Sequence, residues 1–180
     1  VYIPTEMVVL PRFYNSIGQP ALTGYLITAM SIFTVFGSLA FEKLVKVFGY
    51  ANTVRFGLLG IGIPMLPMSQ LPDYGVMILL GTVLGFAWGP MMPILNTLIQ
   101  TMVPANIRGR VFAVEGVMWN IAPLTSFILV GVGLDTVGVK PVYLTLAILV
   151  TLFSLVISFS PQLRSLNRVA AEAKATAEAA

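Results

Sequence analysis

The side chains of this sequence that could exchange protons near neutral pH are its seven carboxylates. The 180 residues include no His and no Cys, which excludes imidazole bases, disulfides, thiol nucleophiles and thiolate metal sites. No paired carboxylates share one helix face, so neither a metal site nor a general acid–base pair can be assembled. These residues argue against an enzyme, a metal centre or a bound cofactor.

Glu6 is one of two acids that fall inside apolar stretches. It lies about 9 Å along a helix from the first residue, among side chains such as Ile3 and Met7. A carboxylate there would be costly facing lipid, so it should face protein or a water-filled cavity. Two interpretations stay open: a group that binds a cation or exchanges a proton, or a hydrated carboxylate at the rim near Arg12.

Glu115 is the second such acid, five residues or about 7.5 Å beyond Arg110. Arg108 lies seven residues before it on nearly the same helix face. The pair could form an ion pair that helps to close a gate, or Glu115 could be a protonatable group that breaks this pair in each cycle. The shallow position favours the ion pair, because an acid at this depth needs no special pKa.

A polar and aromatic stripe recurs every four residues and so shares one helix face. Its members are Trp88, Met92, Asn96 and Gln100. An aromatic ring, a thioether and two amides suit an amphipathic small molecule through stacking, adaptable apolar contact and hydrogen bonds. The alternative is helix packing held together by the amides. Trp119 and Asn120 are weaker candidates of the same kind.

The elements that must position these residues are membrane helices. The chain is 57% hydrophobic and 9% charged, with a mean hydropathy of +0.92, far from the roughly 25% charge of soluble domains. It has no basic tract with interleaved aromatic residues, so nucleic acid is not an expected partner. We expect an all-α membrane protein in contact with lipid.

The apolar runs predict a transmembrane bundle over residues 1–163 and a cytoplasmic tail over 164–180. The predicted spans are about 1–12, 21–40, 56–71, 76–101, 111–134 and 141–160. The first is too short to cross a bilayer, so we expect a truncated helix and a chain that is a fragment with its natural start upstream. Residues 42–55 are expected to form a polar connection, and residues 104–111 a short basic turn between two spans.

Charge asymmetry between alternate connections predicts the orientation. Eight of the ten Lys and Arg residues fall on one side, and Arg12 and Lys140 fall on the other. The eight are Lys43, Lys46, Arg55, Arg108, Arg110, Arg164, Arg168 and Lys174. This count places the basic connections and the C-terminus in the cytoplasm.

Two loop motifs resemble those of major facilitator superfamily transporters, especially the drug-exporting branch that includes macrolide efflux proteins. Residues 100–104, Gln-Thr-Met-Val-Pro, with Arg-Gly-Arg-Val-Phe at 108–112, resemble the connection between that family's tenth and eleventh helices. Residues 37–43, Gly-Ser-Leu-Ala-Phe-Glu-Lys, are similar to its second cytoplasmic loop motif, Gly-x-Leu-Ala-Asp-Arg. Phe41 stands where the family has Asp, so an acidic role would pass to Glu42.

The resemblance covers essentially the whole chain as helices seven to twelve, the six-helix C-terminal half of the major facilitator fold with its first helix truncated. It implies alternating access around a site near the midplane, with the seventh and tenth helices lining the cavity. It further implies proton-coupled export of amphipathic drugs from the inner membrane, with Glu6 as a coupling candidate. Implied partners are the N-terminal six-helix half, a small-molecule substrate and protons.

The same resemblance makes the basic connections candidates for a cytoplasmic gate. These residues are Glu42, Lys43, Lys46, Arg108 and Arg110. Arg108 and Arg110 could also serve only as a topology signal.

A non-transporting membrane scaffold is the alternative from another class. It would associate with other helices through Gly81, Gly85 and Gly89, a small-xxx-small series.

Overall fold

The computed structural model describes residues 3–161, 163 and 166, so nearly all of the predicted tail lies outside the described residues. Every regular element of the described part is helical, which confirms the all-α prediction. A π-helical turn (Thr5–Val9) leads into α1, and the helices are α1 (Leu10–Ser16), α2 (Ala21–Leu39), α3 (Phe41–Met68), α4 (Tyr74–Trp88), α5 (Met91–Met102), α6 (Ala105–Thr136) and α7 (Val139–Ser158).

Four stretches of the described chain are long and apolar enough to cross a bilayer: α2, α4 together with α5 (Tyr74–Met102), α6 and α7. The helix α3 is not among them, and it carries four charged side chains, Glu42, Lys43, Lys46 and Arg55. A membrane span over 56–71 therefore stays a prediction.

The polar connection predicted over residues 42–55 is helical. The helix α3 begins at Phe41 and continues to Met68, with one interruption at Gly49, whose φ of 77° and ψ of 166° are not helical. A glycine lacks Cβ and tolerates this positive φ. Glu42, Lys43 and Lys46 therefore lie on a short helical segment before the bend, and Arg55 lies after it.

The basic turn expected over residues 104–111 is also helical. Pro104 caps α6 with an extended ψ of 141°, and its carbonyl oxygen accepts from the backbone N–H groups of Ile107 and Arg108, each at 3.1 Å. Arg108 and Arg110 consequently lie in the first two turns of a 32-residue helix about 48 Å long. Because this exceeds the roughly 30 Å hydrocarbon core, charged residues near a helix end can remain helical outside it.

The helices α2 and α4 pack with their backbones close together. A Cβ on Gly85 would collide with the carbonyl of Met30. Thr34 Oγ1 donates to the Gly85 carbonyl at 3.1 Å, and Ser38 Oγ donates to the Gly89 carbonyl at 2.7 Å. The glycine series of α4 is thus a packing surface for α2 within this chain.

The buried core lies toward the end of the bundle that contains Arg12, where Tyr14 and Tyr143 are buried beside Leu10 and Met68. Of the 32 residues in α6, the buried ones are Val130 and Leu134, both near its C-terminal end. The other side chains of α6 are exposed or half-buried, so the close packing of this helix lies near its Asp135 end.

Candidate functional site

Two tryptophans meet between α4 and α6. The ring centroids of Trp88 and Trp119 are 6.0 Å apart with an interplanar angle of 85°, an edge-to-face arrangement. Trp88 is the last residue of α4, and Trp119 lies in the middle third of α6. These are the only two tryptophans in the chain, so both of its indole rings take part in this one contact.

Glu115 orients one of the two indoles. Its Oε1 accepts a hydrogen bond of 3.1 Å from Nε1 of Trp119, one helical turn further along α6. Glu115 is half-buried, and Trp119 is 37% exposed. Because the indole N–H needs a partner in an apolar setting, this bond holds Trp119 toward Trp88. The sequence predicted Trp88, Glu115 and Trp119 as separate candidates and not as members of one cluster.

The cluster combines aromatic surface with a charged acceptor. Indole rings offer large, rigid, apolar faces for stacking, and the carboxylate can accept hydrogen bonds or a proton. Glu115 lies about 15 Å along α6 from Ala105 and about 30 Å from Thr136, which puts the cluster well inside the helix.

The predicted four-residue stripe crosses the junction of two helices. The hydrogen-bond ladder is interrupted at Gly89 and Pro90, so Trp88 ends α4 while the other three members belong to α5, although both junction residues keep α-helical backbone angles. Asn96 and Gln100 are exposed and Met92 is half-buried. Proline lacks the N–H that would continue the helical ladder, which explains the interruption.

Asn120 makes a local bond instead of a tertiary one. Its Nδ2 donates to the backbone carbonyl of Gly116 at 2.7 Å, one turn earlier in α6. Its amide N–H group is therefore partly used within the helix, which leaves Asn120 the weakest of the predicted substrate contacts.

Arg108 and Glu115 do not form the predicted ion pair in this structure. Arg108 Nη2 donates to the carbonyl of Val103 at 3.2 Å, whereas Glu115 bonds to Trp119. Each side chain reaches a nearer group: Arg108 turns back to the end of α5, and Glu115 turns forward along α6. The Nε atom of Arg108 is buried and has no partner among the described residues.

Glu6 lies apart from this cluster. It is half-buried within the π-helical turn, a geometry often found at functional sites. Tyr143 on α7 is fully buried, and its hydroxyl has no hydrogen-bond partner among the described residues. Arg12 forms an ion pair with Asp135 at 3.1 Å. The interpretation of Glu6 as a rim carboxylate had instead placed Glu6 near Arg12.

The remaining gate candidates lie on the surface. Lys46 Nζ is 3.8 Å from Glu42 Oε2, an exposed pair one turn apart, and Lys43 and Arg110 are also exposed. Among the described residues, no group of three His, Cys, Asp or Glu side chains could hold a metal ion.

Comparison with known proteins adds to this geometry. A family model described as Major Facilitator Superfamily matches residues 6–179. The multidrug efflux pump Tap of Mycolicibacterium fortuitum is 29% identical over 167 residues, or 93% of this chain and 41% of that pump. The multidrug efflux pump Tap of Mycobacterium tuberculosis (strain ATCC 25618 / H37Rv) is 29% identical over 167 residues, or 93% of this chain and 40% of that pump. No solved structure gives a significant match.

The apolar helices and the matched relatives define a multi-pass membrane protein, and the relatives are named efflux pumps. The chain belongs to the Major Facilitator Superfamily. The predicted family, its drug-efflux resemblance and the all-α half-fold are confirmed. The chain spans about two fifths of the length of the curated relatives it matches.

Proposed function

We propose that this chain is one half of a secondary transporter that exports amphipathic small molecules by alternating access, with protons as the coupling ion. The observation that carries the proposal is the Trp88–Trp119 pair with Glu115 beside it. Its relatives are named multidrug efflux pumps, and aromatic side chains with a few polar groups are typical of sites for amphipathic ligands.

Access to the cluster supports this role. N-terminal to Val130 the side chains of α6 are exposed or half-buried, and Trp119 is 37% exposed, so part of its indole is accessible. A substrate could stack on the exposed part of Trp119 and reach Asn96 and Gln100, which are exposed on α5. Met92, half-buried near the start of α5, would supply an adaptable apolar contact.

Alternating access requires a second six-helix unit that rocks against this one. The greater length of the relatives supports such a partner half. The exposed cations Lys43, Lys46 and Arg110 could pair with acidic residues of that second unit in one conformation. This pairing is the gate role proposed for them. Glu42, already paired with Lys46, would exchange that partner.

Proton coupling would use Glu6 and Glu115, the two acids within the apolar helices. Both are half-buried, and a carboxylate in this setting can change protonation state during a cycle. Glu115 also has a neighbour that could sense the change, because Trp119 donates a hydrogen bond to it.

The proposed location is a bacterial inner membrane with the C-terminus in the cytoplasm. The asymmetry of basic residues between alternate connections supports this orientation. Lipid would cover the exposed apolar side chains of α6 and α7, among them Ile128, Leu129 and Val156.

The test is transport by the full-length protein that carries this chain, in cells depleted of their own efflux pumps. Accumulation of an amphipathic fluorescent dye should fall when the protein is expressed and rise again when the proton gradient is collapsed. Glu6→Gln and Glu115→Gln should weaken gradient-driven efflux, and Asp73→Asn, an exposed acid outside the helices, should not. Efflux that stays gradient-driven in both Gln variants would exclude these acids as coupling groups.

No observation favours the scaffold alternative. Gly85 and Gly89 already pack on α2, so the glycine surface is occupied within the chain.

A further inference from the structure

We propose that Glu115 is a positioning residue for Trp119, and that protonation of Glu115 loosens the Trp88–Trp119 pair. The inference rests on the proposed function only in taking this pair as the place where substrate binds. The distances within the cluster carry the positioning role itself.

The hydrogen bond between Trp119 and Glu115 is the structural basis. A carboxylate acceptor makes a bond roughly twice as strong as a neutral one, and this bond spans 3.1 Å. The indole of Trp119 is thereby held at one angle, with its ring edge-to-face with Trp88 at 6.0 Å. A protonated Glu115 would hold the indole less firmly, so Trp119 would gain rotational freedom.

Few other charges act on Glu115. The stretch from Tyr74 to Ile107, which includes α4 and α5, contains no Asp, Glu, Lys or Arg. On α6 itself, Arg108 donates to the Val103 carbonyl and Arg110 is exposed.

The other elements in contact with α6 are the π-helical turn and α7. Their titratable side chains are Glu6, Lys140 and Tyr143. Trp119 is the hydrogen-bonding side chain that Glu115 contacts among the described residues, so its orientation is the feature most directly sensitive to the charge of Glu115.

A consequence follows for coupling. If an aromatic ligand needs the ordered pair, it binds better when Glu115 is ionised, and by reciprocity the bound ligand disfavours protonation of Glu115. Binding of a proton and binding of the ligand would then disfavour each other at one cluster, as the exchange of a proton for a ligand requires.

The experiment uses tryptophan fluorescence of the whole chain in lipid vesicles that contain no other protein. Because Trp88 and Trp119 are the only tryptophans of the chain, all of the indole emission comes from this cluster. Emission is recorded from about pH 2.5 to about pH 9, a range that covers ordinary and raised carboxyl pKa values, in the chain as it is and in Trp88→Phe, where Trp119 is the only indole.

The emission of both proteins should change with pH in a single transition. Glu115→Gln keeps the side-chain shape but cannot ionise, so this substitution should abolish the transition. Asp73→Asn is the matched control and should titrate like the unmodified chain. Binding of a neutral aromatic dye should weaken several-fold at low pH, and Glu115→Gln should remove that pH dependence.

A titration that persists in Glu115→Gln, or emission that is flat in the unmodified chain, would overturn the positioning role. Neither result depends on transport. Absence of dye export by the full-length protein, with the titration intact, would instead contradict the proposed function alone.

Discussion

Arg12 at α1 and Asp135 near the end of α6 form an ion pair, with 3.1 Å between Nη2 and Oδ1. It lies at the same end of α6 as Val130 and Leu134, the two buried residues of that helix. The most closely packed part of α6 is therefore its C-terminal end, whereas the Glu115–Trp119 segment is exposed or half-buried and meets α4 through Trp88.

The ion pair should contribute little to stability. The side chains of Arg12 and Asp135 are 62% and 71% exposed, and exposed pairs are screened by water and salt. Asp135→Asn is expected to change the free energy of unfolding by about 0.5 kcal/mol or less, measured by denaturant unfolding in detergent. A loss of several kcal/mol would show that the pair is the main attachment of α6 and that the packing of Val130 and Leu134 is secondary.

The close approach of α2 and α4 should tolerate no side chain at Gly85. A Cβ there would collide with the Met30 backbone, and because backbone cannot move aside cheaply, Gly85→Ala should destabilise the protein by about 1–3 kcal/mol. Gly24→Ala is the matched control on α2, where a Cβ meets open space. Thermal unfolding in detergent compares the two, and equal midpoints would mean that the helices are not in close contact.

Arg55 should fix the end of α7. Its Nε donates to the carbonyl of Ser158 at 2.9 Å and its Nη1 to Oδ1 of Asn52 at 2.9 Å. Because both bonds involve a charged donor, Arg55→Ala should cost about 1–2 kcal/mol after allowance for partial exposure. Lys43→Ala, at an exposed residue of the same helix, should leave the unfolding midpoint almost unchanged, and a similar loss in both variants would argue against a specific contact.

The orientation can be measured by thiol labelling because this chain contributes no cysteine of its own. Single variants Lys43→Cys and Asn15→Cys, in the full-length protein in intact cells with any cysteine outside this chain replaced by Ser, place thiols at exposed residues at opposite ends of the bundle. A membrane-impermeant maleimide should label Asn15→Cys from outside and leave Lys43→Cys unlabelled until the membrane is opened. The reverse pattern would invert the topology inferred from the basic residues.

The lengths of the apolar runs predicted much of the helical architecture. The helices α2 and α7 follow the apolar runs 21–40 and 141–160, because a bilayer-crossing segment must satisfy its backbone internally as a helix. The helical conformation of residues 42–55 and 104–111 was not predicted. Charged residues mark the end of an apolar run, but a helix can continue through them where water is available. The bend at Gly49 needs a backbone φ that composition does not reveal.

Part of the candidate site was visible in the sequence. The spacing of Glu115 and Trp119 is i, i+4, which brings two side chains of one helix together, so their bond could have been inferred. The contact of Trp119 with Trp88 depends on how α4 and α6 pack, and no periodicity within a single helix reports that. The four-residue stripe crosses the junction of α4 and α5 at Pro90, and its role as a substrate-binding face stays a prediction.

The central claim is that the tryptophan cluster is the substrate site of an exporter. Efflux of an amphipathic aromatic dye by the full-length protein, at equal membrane abundance, tests it most directly in Trp119→Leu against Phe153→Leu, a matched loss of an exposed aromatic ring on α7. Loss of a stacking contact worth roughly 1–2 kcal/mol predicts about a tenfold fall in the apparent affinity for the dye in Trp119→Leu and no change in Phe153→Leu. Equal efflux at every dye concentration in both variants and the unmodified protein would contradict the claim.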